Sequence, residues 1–337
     1  PHWCLTLNCL KLLVNKFGTI AVTQASTSLI RGLHNLLPEH RGCVATIGTF
    51  DGVHLGHQAI IRQVSAQANV LGVLSVAIIF EPQPHEYFAG EQAPARLMRF
   101  REKVLALLAA GIDRVLCLPF NGRLRHLSGA EFIDQVLIQG LAVRYLVVGD
   151  DFRFGCDRSG DYDLLRVASK DHNFEITDTH TYEIEGSRVS STRIRAELEA
   201  GRFAMAEQLL GKPYTISGRV VYGQQLGRQL GVPTANVLLR RYRSPLRGVF
   251  AVTATLADGQ RVNGVANVGV RPTVDGGNKP ILEVHLFEFD QDLYGQMIAV
   301  DFSQKLREEQ KFDSLEQLKT QIYADIAQAK SIFNSLL

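Results

Sequence analysis

The sequence predicts a doubly wound α/β domain followed by a small antiparallel β-barrel or sandwich that ends in a C-terminal helix. Short apolar runs alternate with amphipathic stretches from Gly42 to about Asp178, as in a parallel sheet with helices on both faces. The tripeptide Gly211-Lys212-Pro213 then marks a domain boundary. Beyond it, strand-like runs follow one another without helical patterns of comparable length until one amphipathic segment closes the chain.

In the first domain, five apolar runs are predicted as strands and four amphipathic stretches as helices. The predicted strands are Cys43–Ile47, Val73–Phe80, Arg114–Leu118, Tyr145–Val148 and Phe174–Thr177. The predicted helices lie near His57–Leu71, Arg99–Ala110, Gly129–Gln139 and Tyr162–His172. In a sheet of this kind ligands bind beyond the carboxyl ends of the strands.

In the second domain, strands separated by Gly, Pro and Asp turns are predicted after two short helical segments around Ser190–Leu210. The predicted strands are Thr215–Val221, Val249–Leu256, Val262–Val270, Ile281–Phe289 and Met297–Phe302. A terminal helix from Ser314 to about Ser331 follows, with Asp313 or Ser314 placed as its N-cap. One face of that helix is apolar and carries Leu315, Leu318, Ile322, Ile326 and Ala329.

The composition is that of a globular protein and excludes a broad polyanion-binding surface. The 337 residues are 46% hydrophobic and 21% charged, and the formal net charge is +2. A nucleic-acid binder usually carries a basic surplus or a stripe of basic and aromatic residues. We therefore expect small-molecule partners held by local sites, with no nucleic acid and no membrane, and the oligomeric state stays open between a monomer and a weak homo-oligomer.

The cysteines and the first residues bear on localisation. The odd number of cysteines, without a C-x-x-C pair, fits no disulfide framework, so they are interpreted as reduced thiols in a cytoplasmic protein; they are Cys4, Cys9, Cys43, Cys117 and Cys156. No run approaches the length that spans a bilayer. Residues 1–28 are interpreted as a leader outside the fold, either a cloning remnant or a mis-set gene start. The alternative is a signal peptide with Trp3–Val14 as its apolar region, but Lys11 interrupts that region and no basic segment precedes it.

A candidate phosphate site follows the first predicted strand. The segment Gly48–His57 reads G-T-F-D-G-V-H-L-G-H, and its glycines permit a tight turn and close approach of the backbone to a phosphate. It opens a helix, whose N-terminus attracts anions, and His54 and His57 can donate hydrogen bonds to phosphate oxygens. The alternative is that both histidines are ordinary polar residues of a turn and a first helical turn. We assign Gly48, Phe50, Asp51 and Gly56 to the same site.

A second candidate phosphate segment is Ser190-Ser191-Thr192-Arg193-Ile194-Arg195. The hydroxyls of Ser190, Ser191 and Thr192 and the cation of Arg195 lie at a predicted helix start, which suits the phosphates of ATP. A simple N-cap run is the alternative. The two segments resemble the H-x-G-H and S-S-T-x-I-R signatures of the nucleotidyltransferase superfamily, and the longer form of the first is similar to the bacterial FAD synthetase branch. The resemblance implies a Rossmann-like domain.

Two further segments between these signatures resemble the nucleotide and flavin side of the same family. Gly149–Gly155 reads G-D-D-F-R-F-G, with Asp151 at a position where the family usually has Asn. Because Asp lacks the amide donor, the role of Asp151 stays open. Phe80-Glu81-Pro82-Gln83-Pro84-His85 resembles a loop on the flavin side. By this resemblance Phe80, Pro82, Asp151, Phe152 and Phe154 line the site, while Phe152 and Phe154 are equally explained as core aromatics.

The predicted chemistry needs no protein nucleophile. In the resembled reaction the phosphate of FMN attacks the α-phosphorus of ATP, and pyrophosphate leaves. Catalysis is then mostly positioning and charge stabilisation, for which His, Ser, Thr, Arg and backbone amides suffice.

The second domain carries a candidate kinase site without a P-loop, since the chain has no G-x-x-x-x-G-K-[ST] sequence. Instead Gly227–Asn236 reads G-R-Q-L-G-V-P-T-A-N, where Gly227 and Gly231 allow a loop that approaches phosphates. In an extended segment Thr234 and Asn236 point the same way, so both can reach one Mg²⁺. The alternative is a Gly-Pro turn, with Pro233, that leads into a strand.

This segment resembles the P-T-A-N motif of riboflavin kinases. Three further segments match the family: Gly264–Thr273, Leu282–Leu286 and Leu306–Phe312. The resemblance implies that Glu283 accepts the proton of the terminal ribityl hydroxyl of riboflavin, as phosphorylation of an alcohol requires. The alternative for Glu283 is a solvated strand residue. For Arg307, contact with flavin or phosphate and a surface salt bridge are both open.

The resemblance covers about Leu29–Leu337 in the order of the bacterial bifunctional enzymes. It implies an FMN adenylyltransferase domain over 29–198, a helical linker over 199–212 and a riboflavin kinase domain over 213–337. ATP, riboflavin and FMN are the expected small molecules, with Mg²⁺ as the cofactor. Two alternatives are an adenylyltransferase acting on nicotinamide mononucleotide or phosphopantetheine, and a non-catalytic flavin sensor; the P-T-A-N domain speaks against the first and the full set of site residues against the second.

Overall fold

The computed structural model describes residues 28–335 except 150–151, 157, 180, 224–226, 228–229, 240 and 273–277. Residues 1–27 of the predicted leader and Asp151 thus lie outside the described residues. The described part divides into two compact units, one of residues 28–94 and 100–191 and the other of residues 95–99 and 192–335. No described helix is long and apolar enough to cross a membrane.

The first unit contains a six-stranded parallel sheet in the order β1-β4-β3-β2-β5-β6. The strands are β1 (Leu29–Arg31), β2 (Val44–Ile47), β3 (Ser75–Glu81), β4 (Arg114–Pro119), β5 (Tyr145–Gly149) and β6 (Glu175–Thr179). Five match the predicted strands. The edge strand β1 was missed because three residues with one buried side chain, Ile30, make no readable pattern.

The helices of this unit follow the predicted alternation with three differences. They are α1 (Leu55–Leu71), α2 (Pro84–Ala89), α3 (Phe100–Ala109), α4 (Gly122–Arg125), α5 (Gly129–Phe132) and α6 (Tyr162–Asp171). The predicted helix Gly129–Gln139 forms, but its second part, Ile133–Ile138, is a π-helix. The short helices α2 and α4 were not predicted; the α2 segment was interpreted as a loop, and α4 has only four residues. A hairpin of β7 (Glu183–Ile184) and β8 (Ser187–Arg188) closes the unit.

Burial of the central strands places the candidate loops. All four residues of β2 and the first five of β3 are buried, so these strands lie in the middle of the core. Because β2, β3 and β5 are parallel neighbours, the loops that follow them emerge at the same edge of the sheet. Those loops carry the predicted adenylyltransferase residues.

The second unit is a closed six-stranded antiparallel barrel in the order β10-β13-β12-β11-β14-β9. The strands are β9 (Thr215–Val221), β10 (Ala235–Leu238), β11 (Gly248–Thr255), β12 (Arg261–Pro272), β13 (Asn278–Leu286) and β14 (Met297–Arg307). The five predicted strands are confirmed. The additional strand β10 is the extended segment expected after the Gly-Pro turn. Because the six strands close on themselves, the unit is a barrel and not a sandwich.

Helices precede and follow the barrel. Two helices, α7 (Ser191–Glu199) and α8 (Phe203–Leu210), come first, and Gly211 ends α8 in the left-handed conformation that glycine tolerates. The terminal helix α9 (Leu315–Asn334) confirms the last prediction, and its N-cap is Ser314, whose hydroxyl accepts the amide of Gln317 at 3.2 Å.

Candidate active sites

The loop after β2 is held in a costly backbone conformation. Phe50, Gly52 and Val53 have φ angles of 47°, 90° and 42°, a region that a β-branched residue such as Val rarely enters. Each non-glycine outlier costs about 1 kcal/mol or more and persists where the surroundings enforce it, often at a binding site. Phe50 is buried, and a Cβ on Gly48 would lie only 3.1 Å from the Phe50 ring. A larger residue at position 48 would therefore have to displace that ring.

His54 and His57 form a stacked pair at the N-terminus of α1. Their ring centroids are 3.6 Å apart with 19° between the ring planes. His54 is the N-cap, and its Nδ1 accepts the backbone amide of His57 at 3.3 Å. The predicted helix start at His57 is therefore two residues late. A Cβ on Gly56 would lie 3.2 Å from His54 Nδ1, so Gly56 leaves room for the stack.

His57 is neutral in the folded protein at neutral pH. Burial is the first cause that lowers its pKa well below 6.5, and the nearby positive charges of His54, Lys103 and Arg188 lower it further. Its Nδ1 is buried and has no hydrogen-bond partner within the described part of the chain. A neutral imidazole at a helix N-terminus can still donate one N–H to a phosphate oxygen.

One residue of the second signature contacts the first. The Ser191 hydroxyl donates to the backbone carbonyl of the buried Asp51 at 2.8 Å. Ser191 is also the first residue of α7, so Ser190 immediately precedes the helix and Thr192 lies in its first turn. Arg195, in contrast, donates through Nε to the carbonyl of Ala95 at 2.6 Å, a partner that the sequence did not suggest.

A chain of aromatic rings lies near the end of β3. Phe80 contacts Phe120 and Phe132, with ring centroids 6.0 and 6.4 Å apart. Phe132 contacts Phe154, which stacks on Phe152 at 5.3 Å. Because Phe154 is buried in the core and Phe152 packs against it, their position favours the core interpretation. Pro82 lies between β3 and α2.

The row of aromatic rings continues to residues that were not predicted from the sequence. Tyr87 and Phe88 on α2 each contact Phe120, with centroids 5.4 and 5.8 Å apart. Phe88 is 65% exposed, and the guanidinium of Arg125 lies 5.9 and 5.7 Å from the Tyr87 and Phe88 rings. An exposed phenylalanine next to an arginine is a surface that can stack on a flat ring. The adjacent aromatic pair after Pro84 was the sequence signal for it.

The second unit encloses a cavity of about 390 Å³. Five predicted residues line it, namely Gly227, Thr234, Asn236, Glu283 and Arg307. Gly231 and Pro233 lie in the same segment, are exposed and do not line it. Further lining residues come from the strands, from the segment after β14 and from α9; they are Leu230, Val232, Val249, Val265, Asn267, His285, Glu309, Gln310, Phe312, Leu318, Ile322, Asp325 and Ile326.

The polar residues of the cavity form a row across adjacent strands. Glu283 on β13 is directly opposite Asn236 on β10 and directly opposite Asn267 on β12. Residues directly opposite in an antiparallel pair share a face and lie close together. The row continues with Val249 on β11 and Arg307 on β14. Asn267 belongs to the Gly264–Thr273 motif, but the motif alone did not assign this residue to the site.

Close backbone packing holds Asn236 in place. Asn236 is 4% exposed, its Nδ2 lies 3.4 Å from the carbonyl of Thr234, and its Oδ1 is buried without a partner in the described residues. A Cβ on Gly223 would collide with this amide, and one on Gly227 would lie 2.5 Å from the carbonyl of Val232. Both positions therefore require glycine. A hydroxyl and an amide oxygen of this kind are hard oxygen donors that fit Mg²⁺ beside substrate phosphates. The described residues contain no group of three His, Cys, Asp or Glu that could hold a metal ion.

Arg307 forms an internal ion pair. Its Nε lies 2.9 and 3.1 Å from the two carboxylate oxygens of Asp325, and its Nη2 lies 2.8 Å from Oδ2. The side chain of Arg307 is 20% exposed and that of Asp325 is 4% exposed. The pair is therefore largely buried and is not a surface salt bridge. Gln321 also donates to Asp325 at 2.9 Å. This pair fastens α9 to β14 beside the cavity.

Fold and sites together define a two-part phosphotransfer enzyme, with a nucleotidyltransferase-type α/β unit and a kinase barrel that lacks a P-loop. The family model for FAD synthetase matches residues 36–193, and the model for riboflavin kinase matches residues 210–333. The chain belongs to the bifunctional riboflavin kinase/FMN adenylyltransferases, so the family predicted by resemblance is confirmed.

Several relatives match over nearly their whole length. The bifunctional riboflavin kinase/FMN adenylyltransferase of Pseudomonas fluorescens is 58% identical over 90% of this chain and 97% of its own. The protein of the same name from Escherichia coli strain K12 is 48% identical over 90% of this chain and 97% of its own. A crystal structure described as a macrolide-efflux protein from Streptococcus pneumoniae is 30% identical, covers 88% of this chain and 97% of its own, and has a TM-score of 0.73.

Proposed function

We propose that the two activities of this family are carried by two separate sites in this chain, one in each unit. The enzyme phosphorylates riboflavin to FMN with ATP, and it then adenylylates FMN to FAD with release of pyrophosphate. The observation that carries the assignment of the kinase is the row of Asn236, Glu283 and Asn267 in one cavity. The α/β unit carries the adenylylation.

In the kinase site, Glu283 accepts the proton of the terminal ribityl hydroxyl as that oxygen attacks the γ-phosphorus of ATP and ADP leaves. Thr234 Oγ1 and Asn236 Oδ1 are the atoms that would hold Mg²⁺, and the orphaned Oδ1 of Asn236 supports this role. When bound, the ion would neutralise charge on the phosphates. Gly227 lets the backbone approach those phosphates, while Gly231, with a φ of 80°, and Pro233 shape the turn of the same segment. Arg307 supports the wall of the cavity through Asp325.

In the adenylyltransferase site, His54, His57 and the N-terminus of α1 bind the phosphates of ATP. A neutral His57 donates a hydrogen bond to an α-phosphate oxygen, where negative charge grows in the transition state. Gly48, Phe50, Asp51 and Gly56 shape this loop. Ser190 and Ser191 are assigned to the leaving pyrophosphate, which the contact between Ser191 and Asp51 supports for Ser191.

The flavin acceptor of this site stacks on the exposed aromatic surface. Phe88, with Tyr87 and Arg125 beside it, offers a flat face and a cation to an isoalloxazine ring. Phe80 and Pro82 support that surface from the end of β3. Since the enzyme uses ATP in both steps, we place it in the cytoplasm, where ATP is made and consumed.

The kinase assignment is tested with Glu283→Gln, which keeps the size of the side chain and removes its charge. General-base catalysis contributes about 100- to 10,000-fold, so FMN formation from riboflavin should fall by at least 100-fold while FMN is still converted to FAD. The matched control is Glu288→Gln, since Glu288 is 86% exposed and forms a long ion pair of 3.5 Å with Lys330. Normal FMN formation by Glu283→Gln would remove the assignment.

The adenylyltransferase assignment is tested with His57→Asn. Loss of one donor to the developing charge costs roughly 100-fold or more in rate, so FAD formation from FMN should fall by that factor and FMN formation should persist. His172→Asn is the matched control, because His172 is an exposed histidine of the same unit. FMN, nicotinamide mononucleotide and phosphopantetheine are offered in parallel with ATP, and adenylylation of one of the other acceptors without FAD formation would overturn the flavin assignment.

A further inference from the structure

The side-chain amide oxygen of Asn267 is a candidate ligand-binding atom inside the kinase cavity. Asn267 lines the cavity, yet its Oδ1 is buried and has no hydrogen-bond partner among the residues described. A buried acceptor left without a donor costs about 1–3 kcal/mol. Such an atom is retained where a bound molecule supplies the donor.

Several neighbouring polar groups of the cavity already have partners within the protein. Arg307 and Asp325 bind each other, Glu309 binds Arg247 at 2.9 Å, and His285 Nδ1 lies 2.9 Å from the carbonyl of Pro233. Most of the remaining lining is aliphatic, including Val249 and Val265 from the strands and Leu318, Ile322 and Ile326 from α9. A hydroxylated substrate therefore finds few open acceptors there.

The register places Asn267 next to the proposed base. Asn267 is directly opposite Glu283 on the adjacent strand, where side chains are typically about 5 Å apart. A sugar alcohol whose terminal hydroxyl meets Glu283 carries its secondary hydroxyls on the following carbon atoms, and these lie within reach of a side chain at that distance. An amide oxygen accepts a hydrogen bond from such a hydroxyl.

We propose that Asn267 determines specificity for the ribityl chain, by accepting through Oδ1 a hydrogen bond from a secondary hydroxyl of riboflavin. This inference rests on the proposed kinase site. Asn267 thus recognises the sugar alcohol and positions its terminal hydroxyl at Glu283. It does not contact the isoalloxazine ring. Asn236, on the other side of Glu283, would bind the metal ion and is left out of this role.

The test compares Asn267→Ala with Asn263→Ala, since Asn263 lies on the same strand, is exposed and pairs with Thr253 at 2.9 Å. Riboflavin phosphorylation is followed as total FMN plus FAD, and lumiflavin, which has the ring but no ribityl chain, is used as a competitive inhibitor. A lost hydrogen bond of about 1.4 kcal/mol is tenfold in affinity. In Asn267→Ala the KM for riboflavin should rise about tenfold while the inhibition constant of lumiflavin stays unchanged; in Asn263→Ala both constants should stay unchanged.

A second variant covers the case in which alanine disturbs the barrel. Asn267→Asp keeps an acceptor oxygen but adds a negative charge opposite Glu283, so it should recover most of the riboflavin KM. Conversion of FMN to FAD should be normal in every variant.

The outcomes separate this inference from the kinase assignment. Equal weakening of riboflavin and lumiflavin, or an Asn267→Ala enzyme that matches Asn263→Ala while Glu283→Gln is inactive, would overturn the role of Asn267 alone. A fully active Glu283→Gln enzyme would overturn the kinase assignment itself.

Discussion

The ion pair between Arg307 and Asp325 allows the loss of stability in Asp325→Asn to be predicted quantitatively. Asp325→Asn keeps the shape of the side chain but leaves the Arg307 guanidinium without its counter-charge. Breaking a buried pair by removing one partner costs about 3–5 kcal/mol. We expect the lower end, about 3 kcal/mol, because Asp325 is 4% exposed but Arg307 is 20% exposed and can be partly rehydrated. By the relation of 1.36 kcal/mol per factor of ten, that loss is roughly 150-fold in an opening equilibrium.

Hydrogen exchange of peptides from α9 measures this opening equilibrium directly. Protection of the helix amides should fall by roughly 150-fold in Asp325→Asn, and the KM for riboflavin should rise because α9 lines the cavity. Glu288→Gln is the control, since the pair of Glu288 and Lys330 also joins α9 to the end of β13 but is 86% and 47% exposed. Exposed pairs contribute under about 1 kcal/mol. Equal protection in the two variants would refute the reasoning that burial makes the Arg307 pair strong.

Two further predictions concern titration and thiol chemistry. The pKa of His57 is lowered in the folded protein, so between that pKa and the ordinary 6.5 the unfolded chain binds a proton that the folded chain does not. Stability should therefore fall as the pH drops below about 6.5, and His57→Asn should flatten this dependence in urea titrations; an unchanged slope would contradict it. Burial raises the pKa of Cys43 to about 12 and that of Cys117 to about 11, whereas Cys156 is exposed. An alkylating reagent at pH 8 should thus modify Cys156 well before the other two, as peptide mass spectrometry would show, and early modification of Cys43 would contradict the burial argument.

Much of the fold was predictable because the patterns are strong and local. Buried central strands such as β2 are continuous apolar runs, and α9 carries an apolar stripe at helical spacing. The edge strand β1 escaped because its pairing with β4, a tertiary contact, defines it and its three residues do not. The π-helix after α5 depends on hydrogen-bond geometry that composition does not encode.

The sites divide in the same way. His54 was readable because a histidine in a glycine-rich turn at a helix start indicates phosphate chemistry. Thr234 was assigned through the resemblance of its P-T-A-N segment to riboflavin kinases. Asn267 was not assigned, since its place beside Glu283 follows from strand register. The partner of Arg307 lies 18 residues away on another element, and only tertiary packing brings the two together.

Product analysis of two single variants tests the central claim of separate sites most directly. Glu283→Ala and His57→Ala are each incubated with riboflavin or FMN, ATP and Mg²⁺, and the flavins are separated over time. We predict that Glu283→Ala makes FAD from FMN but no FMN from riboflavin, and that His57→Ala accumulates FMN from riboflavin without FAD. If either substitution in a folded protein abolished both reactions, the assignment of the two activities to separate sites would be wrong.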